Sequence, residues 1–310
     1  IRDLVRSRGL GDVYKRQSYS DAEIRDKLLK LDKTCCIVKN GDSIGVCLKE
    51  DADESTSGLS MSLLATALPL KTTQLGDPEF IKFHGLKMAY MTGSMANGIA
   101  SENLVISSGK FGLLSSFGAA GLLPSIIEQA INNIQKALPE GPYAFNLIHS
   151  PSEDAIEKAA VDLYLKYRVR TVEASAFLGL TPNIVRYRVA GLRRNSQNQV
   201  EITNRVIAKI SRAEVASKFM APAPEDILNK LVEEKSITRE QAQLATEVPM
   251  ADDITVEADS GGHTDNRPLV SLLPAIIALR EQFQKQYGYC LLYTSPSPRD
   301  RTRSRMPSSA

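Results

Sequence analysis

Apolar residues along this chain recur at two spacings. Short runs flanked by polar or glycine residues read as strands: LKMAYMTG (86–93), LLSSFG (113–118), YAFNLI (143–148), RTVEAS (170–175), RVIAKIS (205–211) and DITVEAD (253–259). Between most of them the spacing becomes helical. In SPSEDAIEKAAVDLYLKY (150–167), Ser150 predicts an N-cap, Pro151 the first helical position and Glu153 a capping box. Ile156, Ala159, Ala160, Leu163 and Tyr167 would share its apolar face. LPSIIEQAINNIQKAL (123–138) predicts a second helix facing inward through Ile126, Ile127, Ala130, Ile131 and Ile134. SENLVISSGKFG (101–112) predicts a short third one, closed by Gly109 or Gly112.

The stretch before this rhythm differs. TCCIVKNGDSIGVCLK (34–49) has two apolar runs around Asn40-Gly41-Asp42, a hairpin signal, and a serine-rich acidic segment comes after it. Residues 18–83 are therefore expected to form a small leading subdomain. Between the fifth and sixth strand-like runs, 222–248 reads as an inserted pair of amphipathic helices joined at KSITREQ, with Ser236 or Thr238 capping the second. Packing as a helical element is the simpler reading of that insertion, and covering the mouth of a site is the other.

Strand–helix alternation implies a parallel sheet with helical crossovers, either doubly wound or closed as a barrel. A doubly wound nucleotide fold calls for a glycine fingerprint after its first strand, and MTGSMANGIAS (91–101) has neither GxGxxG nor a phosphate-loop lysine. In a barrel, polar residues at the C-terminal ends of successive strands converge on one site. Asn97, Asn146, Glu173, Lys209 and His263 occupy such ends, where core filling would favour Val, Ile and Leu. The predicted fold is α/β, a TIM (β/α)8-type barrel over 84–289 with about six strands.

The two ends change the charge picture. DVYKRQ (12–17) and CLLYTS (290–295) back-translate to complementary DNA strands, and their flanks continue the match. Residues 1–17 and 290–310 are therefore read as translated sequencing adapters and set aside. They hold nine Lys/Arg and three Asp, so the chain's net +2 becomes −4 over 18–289. The basic balance that would suggest a nucleic-acid or membrane partner is thus expected to come from the ends. Cys35, Cys36 and Cys47 form neither a disulfide framework nor a CxxC site, which suits a reducing cytoplasm. No apolar run reaches the roughly 18–20 residues of a membrane span.

AYMTGSMANGIASENLV, FGAAGL, FNLIHSPSE, VEASAFLGLTP, NRVIAKISRAEVASKFMAPAP and VPMADDITVEADSGGHTDNRPL together resemble the PfaD family, over nearly all of 30–289. These are FMN-dependent enoyl reductases of polyunsaturated fatty acid and trans-acyltransferase polyketide synthases. They belong to a barrel superfamily with nitronate monooxygenase (2-nitropropane dioxygenase). The resemblance implies FMN, NAD(P)H as hydride donor, and an enoyl thioester on an acyl-carrier protein of a fatty acid or polyketide synthase.

By position, the resemblance puts Met95 and Asn97 against the flavin ring, and Asn146 and Lys209 at its pyrimidine edge. Glu173 would orient site groups or be a satisfied hydrogen-bond partner. Gly261 and Gly262 would let the backbone pass close to the ring, and His263 would face the reacting carbons as the catalytic group. By itself, a Gly-Gly-His turn would read as a loop. The resemblance also implies two further strands carrying the FMN phosphate site, so the chain as given is expected to bind FMN poorly and to be inactive. A nitronate monooxygenase-like flavoenzyme is the alternative. A distant one is a helix-turn-helix nucleic-acid binder through ASAFLGLTPNIVRYRVAGLRRN (174–195).

Overall fold

The computed structural model describes residues 19–51, 61–258, 267–288 and 293–296. Two compact units divide after Leu75.

In the first unit, helix α1 (Asp21–Leu28) is capped by Ser20 and precedes β1 (Cys35–Asn40) and β2 (Ser43–Leu48). The hairpin expected from Asn40-Gly41-Asp42 is present. Asn40 pairs with Ser43, and Gly41 takes a positive φ of 61° that a side chain would resist. A third strand, β3 (Met61–Ala67), pairs antiparallel with the free edge of β1. No strand was expected there from the apolar pattern.

In the second unit, Asp77 and Pro78 start helix α2 (Pro78–His84), and Gly85 ends it at a φ of 67°. The expected boundary at 83/84 thus falls late, and α2 belongs with the second unit. The reason is burial: Phe80 packs with Leu86, Leu114, Ala144 and Ile207 inside the curled sheet.

The strands then come in order: β4 (Met91–Thr92), β5 (Leu114–Phe117), β6 (Ala144–Ile148) and β7 (Thr171–Ser175). They alternate with helices α3 (Glu102–Phe111), α4 (Pro124–Ala137), α5 (Asp154–Lys166) and α6 (Pro182–Ala190). A hairpin of β8 (Leu192–Arg194) and β9 (Val200–Ile202) precedes β10 (Arg205–Ile210) and α7 (Ala213–Met220). After α8 (Glu225–Glu233) and α9 (Arg239–Leu244) come β11 (Asp253–Val256) and α10 (Leu269–Tyr287).

All six strand-like runs are strands, the first shortened to two residues. They pair in parallel in the order β4-β5-β6-β7-β10-β11, the six-stranded curled sheet of an incomplete TIM-type barrel. The main core lies between its outer face and the helices, with Phe145, Val172, Val206 and Ile254 pointing outward. A last strand, β12 (Tyr293–Pro296), pairs with β11 and falls in the segment set aside as adapter. The otherwise unpaired edge of β11 offers hydrogen bonds to any extended run, which is sufficient cause for that pairing.

Three local expectations change. Helix α5 begins at Asp154 rather than Pro151, with no side-chain cap, and Ser150 contributes only its carbonyl, which accepts from the N–H of Glu153 at 2.9 Å. Its buried face is Glu157, Ala160, Val161 and Tyr164, while Ile156 stays exposed, so the helix is rotated by about one residue. The cause is Glu157, drawn inside by hydrogen bonds from His149 and Thr181.

The insertion forms as two helices, the second capped by Thr238 in a capping box with Gln241. It leaves from the end of α7, returns to the start of β11, and holds Ala190 at the end of α6 through Gln241. It therefore lies toward the N-terminal ends of the strands, away from the mouth. Residues 174–195 are not a helix-turn-helix reader: they span the end of β7, all of α6 and β8. Six of the nine residues of α6 are buried, Arg188 among them.

Candidate functional site

Alternation along each strand sends every second side chain inward. Near the bottom of the sheet these include the apolar Leu114, Ala144 and Ile207, with Asp253 opposite Ile207. One step up they are Ser116, Asn146, Glu173, Lys209 and Thr255, and beyond them Ser175 and Glu257, all buried. Register sets them side by side. Asn146 is opposite Glu173, Glu173 is opposite Ile207 two residues before Lys209, and Lys209 is opposite Thr255.

A dry layer of this kind must satisfy its own polar groups. The Asn146 amide donates to the Ser175 hydroxyl at 2.9 Å and to the Glu173 carbonyl at 3.2 Å. From the outer side, the Tyr164 hydroxyl donates to the Asn146 carbonyl at 2.6 Å, and burial pushes that phenol's pKa far up. Glu173 Oε2 accepts from the backbone N–H of Ser94 at 2.8 Å, tying the loop after β4 into the layer. Lys209 Nζ stands 3.5 Å from Glu257 Oε1. Ser116 Oγ is buried with no hydrogen-bond partner among the described residues. The layer therefore presents one ammonium, two carboxylates, an amide and hydroxyls at the C-terminal face, enough to grip a polar heterocycle by its edge.

Asn146, Glu173 and Lys209, anticipated from sequence, are thus brought together. Met95 and Asn97 sit on the loop that Glu173 anchors. Met95 is half-buried, and its carbonyl packs so closely on Gly118 that an added Cβ would lie 1.7 Å away. Asn97 is placed apart from the layer. It adopts a φ of 56°, its N–H bonds the Ala120 carbonyl at 2.7 Å, and its exposed side chain lies over Gly121. Gly261, Gly262 and His263 lie outside the described residues.

Sequence reasoning missed Ser116, Ser175, Thr255 and Glu257. Each lies two residues from another inward residue, so period-2 counting from Leu114, Glu173 or Asp253 would have found them. His149, read as structural, sits at the rim. Its Nδ1 faces Glu157 Oε2 at 3.1 Å, and its ring stacks on Phe177 at 5.2 Å. Among the described residues, no three His, Cys, Asp or Glu side chains are grouped to hold a metal ion. No described helix is long and apolar enough to cross a membrane.

No protein-family model matches the chain. It is 47% identical over 273 residues to a polyunsaturated fatty acid synthase subunit of Thraustochytrium, covering 88% of the chain and 18% of that protein. It is 47% identical over 216 residues to the polyketide biosynthesis protein PksE of Bacillus subtilis, covering 69% of the chain and 28% of PksE. Among solved structures, the enoyl reductase domain of MlnA from the macrolactin biosynthesis cluster of Bacillus amyloliquefaciens matches with a TM-score of 0.68 at 36% identity. That match covers 72% of the chain and 51% of the solved one.

The chain is PfaD-like. It spans under a third of the curated relatives it matches and about half of the solved one. In this PfaD-like chain four of the six motifs that carried the resemblance run from a strand into the loop at its C-terminal end, while the other two also take in β10 with α7 and the approach to β11.

Proposed function

We propose that the chain is the FMN-binding barrel of a trans-acting enoyl reductase, serving a polyunsaturated fatty acid or polyketide synthase in the cytoplasm. The carrying observation is the buried Asn146–Glu173–Lys209 layer at the C-terminal face, in a chain similar to an enoyl reductase domain. The residues present fit a flavin edge: Lys209 is a buried cation, the Asn146 amide is fixed in orientation, and Ser116 Oγ is an unused donor.

FMN, when bound, supplies hydride transfer from NAD(P)H to the β carbon of an enoyl thioester on an acyl-carrier protein. Lys209 Nζ provides fixed positive charge where negative charge develops, in a site too dry for water to compete. Asn146 orients the ring edge, and Glu173 holds the Ser94–Asn97 loop so that Met95 lies along the ring. Gly261 and Gly262 allow close backbone approach. His263 delivers the proton to the α carbon or hydrogen-bonds the thioester oxygen, roles an imidazole fills near neutral pH.

The test takes the full-length protein expressed from the native gene, reduces it with NADPH without oxygen and then adds crotonyl thioester. Rapid flavin reoxidation that collapses in His263→Ala supports the reading. A flavin that ignores the thioester but turns over a nitronate with oxygen replaces it with the monooxygenase of the same superfamily. A protein that takes up no flavin overturns it.

A further inference from the structure

The opposite end of the barrel carries a cavity of about 500 Å³ among the N-terminal ends of β5, β6, β7 and β10. That volume is in the range of small-molecule sites. We propose that it is a binding site for a phosphate-bearing small molecule, separate from the C-terminal face. The inference stands independently of the enoyl reductase reading.

Charge carries the proposal. Lys82, Arg168, Arg170 and Arg205 line the cavity, against Glu140 as the one acid in its wall. Among the described residues, neither the Arg168 nor the Arg170 side chain makes an ion pair or a hydrogen bond; their backbones bond Leu165 and Arg205. Arg205 is spent partly on the protein: its Nη1 donates to the Phe83 carbonyl at 2.6 Å, and its guanidinium lies 4.2 Å from the Phe83 ring centre. Burial lowers the pKa of Arg205, and the charge of Arg170 pushes the same way, against Asp252 and Asp253. Cations gathered at one cavity mouth favour an anion there. Guanidinium forks match phosphate oxygens two at a time.

Tyr143 gives a second, uncharged indication. Its oxygen accepts from the Gln135 amide at 3.0 Å, so its own proton is available, and no acceptor takes it among the described residues. Burial raises its pKa, keeping that proton in place as a donor. With Tyr167 also in the wall, the cavity offers aromatic surface beside its cations. Phe80, Leu86, Leu114, Ala144 and Ile207 fill the base of the sheet, so this cavity is separate from the layer of Glu173. It would bind as an effector or as part of the fold.

Calorimetric titration of the purified protein with inorganic pyrophosphate, and separately with ADP, tests this at low salt. The comparison variants are Arg170→Gln and Arg168→Gln, both at exposed positions whose side chains hold no other element. Saturable binding of one ligand per chain is expected, weakened roughly tenfold or more in each variant and weakened further as salt rises. Tighter ADP than pyrophosphate identifies a nucleotide as the source of the phosphate, with its ring on the tyrosines. Equal affinities identify the phosphate alone. Absence of saturable binding by either probe overturns the proposal, and so does unaltered binding in Arg170→Gln and Arg168→Gln.

Discussion

His84 and Asp253 meet at 2.7 Å across 169 residues of sequence, both sealed from solvent. The contact fastens the end of α2 to the first residue of β11, so that strand is held in place against the helix at the base of the sheet. Phe80 and Phe83 pack on the imidazole at 4.6 and 4.9 Å. His84→Ala would leave the carboxylate buried and alone and open a void between the rings. A loss of about 3 kcal/mol is expected, read as a shift in the urea midpoint with unchanged slope.

The same pair makes stability depend on acid pH. Burial holds the Asp253 carboxyl above its ordinary value, with the hydrogen bond and charge of His84 pulling the other way. An acid whose pKa is raised on folding favours the fold most below the unfolded value, and that advantage is lost as pH rises through the folded one. Wild type should therefore lose stability relative to Asp253→Asn as pH rises from the ordinary carboxyl range through the raised value. Above that window the difference should be constant. Parallel stability–pH curves for the two proteins would refute the assignment.

Arg188 sets a larger expectation. Its guanidinium is closed on Asp252 by two bonds, at 2.7 and 3.0 Å, and also donates to the carbonyls of Pro249 and Asn204. Asp252 in turn accepts from the N–H of Val206, so one pair joins α6, β10 and the return of the inserted helices. Arg188→Ala strands a buried carboxylate and should cost about 3–5 kcal/mol. A milder loss in Arg188→Met/Asp252→Leu than in the single variant, measured by chemical unfolding, would separate the missing charge partner from the missing bulk.

These two contacts also mark where the sequence stopped being informative. Strands 143–148 and 170–175 were legible because their outward residues are apolar, and Asn146 and Glu173 stood out against them. Lys209 was legible for the same reason. Asn97 was not, because its position after a strand says nothing about a left-handed residue whose N–H turns back onto Ala120. Nor does any local pattern announce that His84 will find Asp253, or that a buried Glu157 will outweigh Ile156 in choosing a helix face. Such pairings are fixed by topology, and spacing carries no trace of them.

Gly118 is small because the neighbouring loop occupies the space where its side chain would go. An added Cβ would lie 1.7 Å from the Met95 carbonyl oxygen and 2.7 Å from its carbon, both backbone atoms. Gly118→Ala should therefore displace the Ser94–Asn97 loop at a cost of about 1–3 kcal/mol. Because Glu173 grips the Ser94 N–H, flavin affinity should fall alongside stability. A variant that keeps flavin content and melting temperature would show that the loop moves freely.

Lys209 offers the sharpest test of the site, because its surroundings limit what a substitution can do. Its ammonium is buried beside Glu257, with Thr255 as its strand neighbour, so it contributes charge in a place water does not reach. If that charge serves the chemistry, Lys209→Gln should slow flavin reduction by NADPH roughly 10²–10³-fold while flavin stays bound. Lys209→Arg keeps the charge and should recover part of the rate, although a guanidinium fits the space less well. A residue needed only for packing would behave otherwise: both variants would lose stability and flavin together, and the reduction rate per bound flavin would not change. Stopped-flow reduction normalised to flavin content distinguishes the two outcomes.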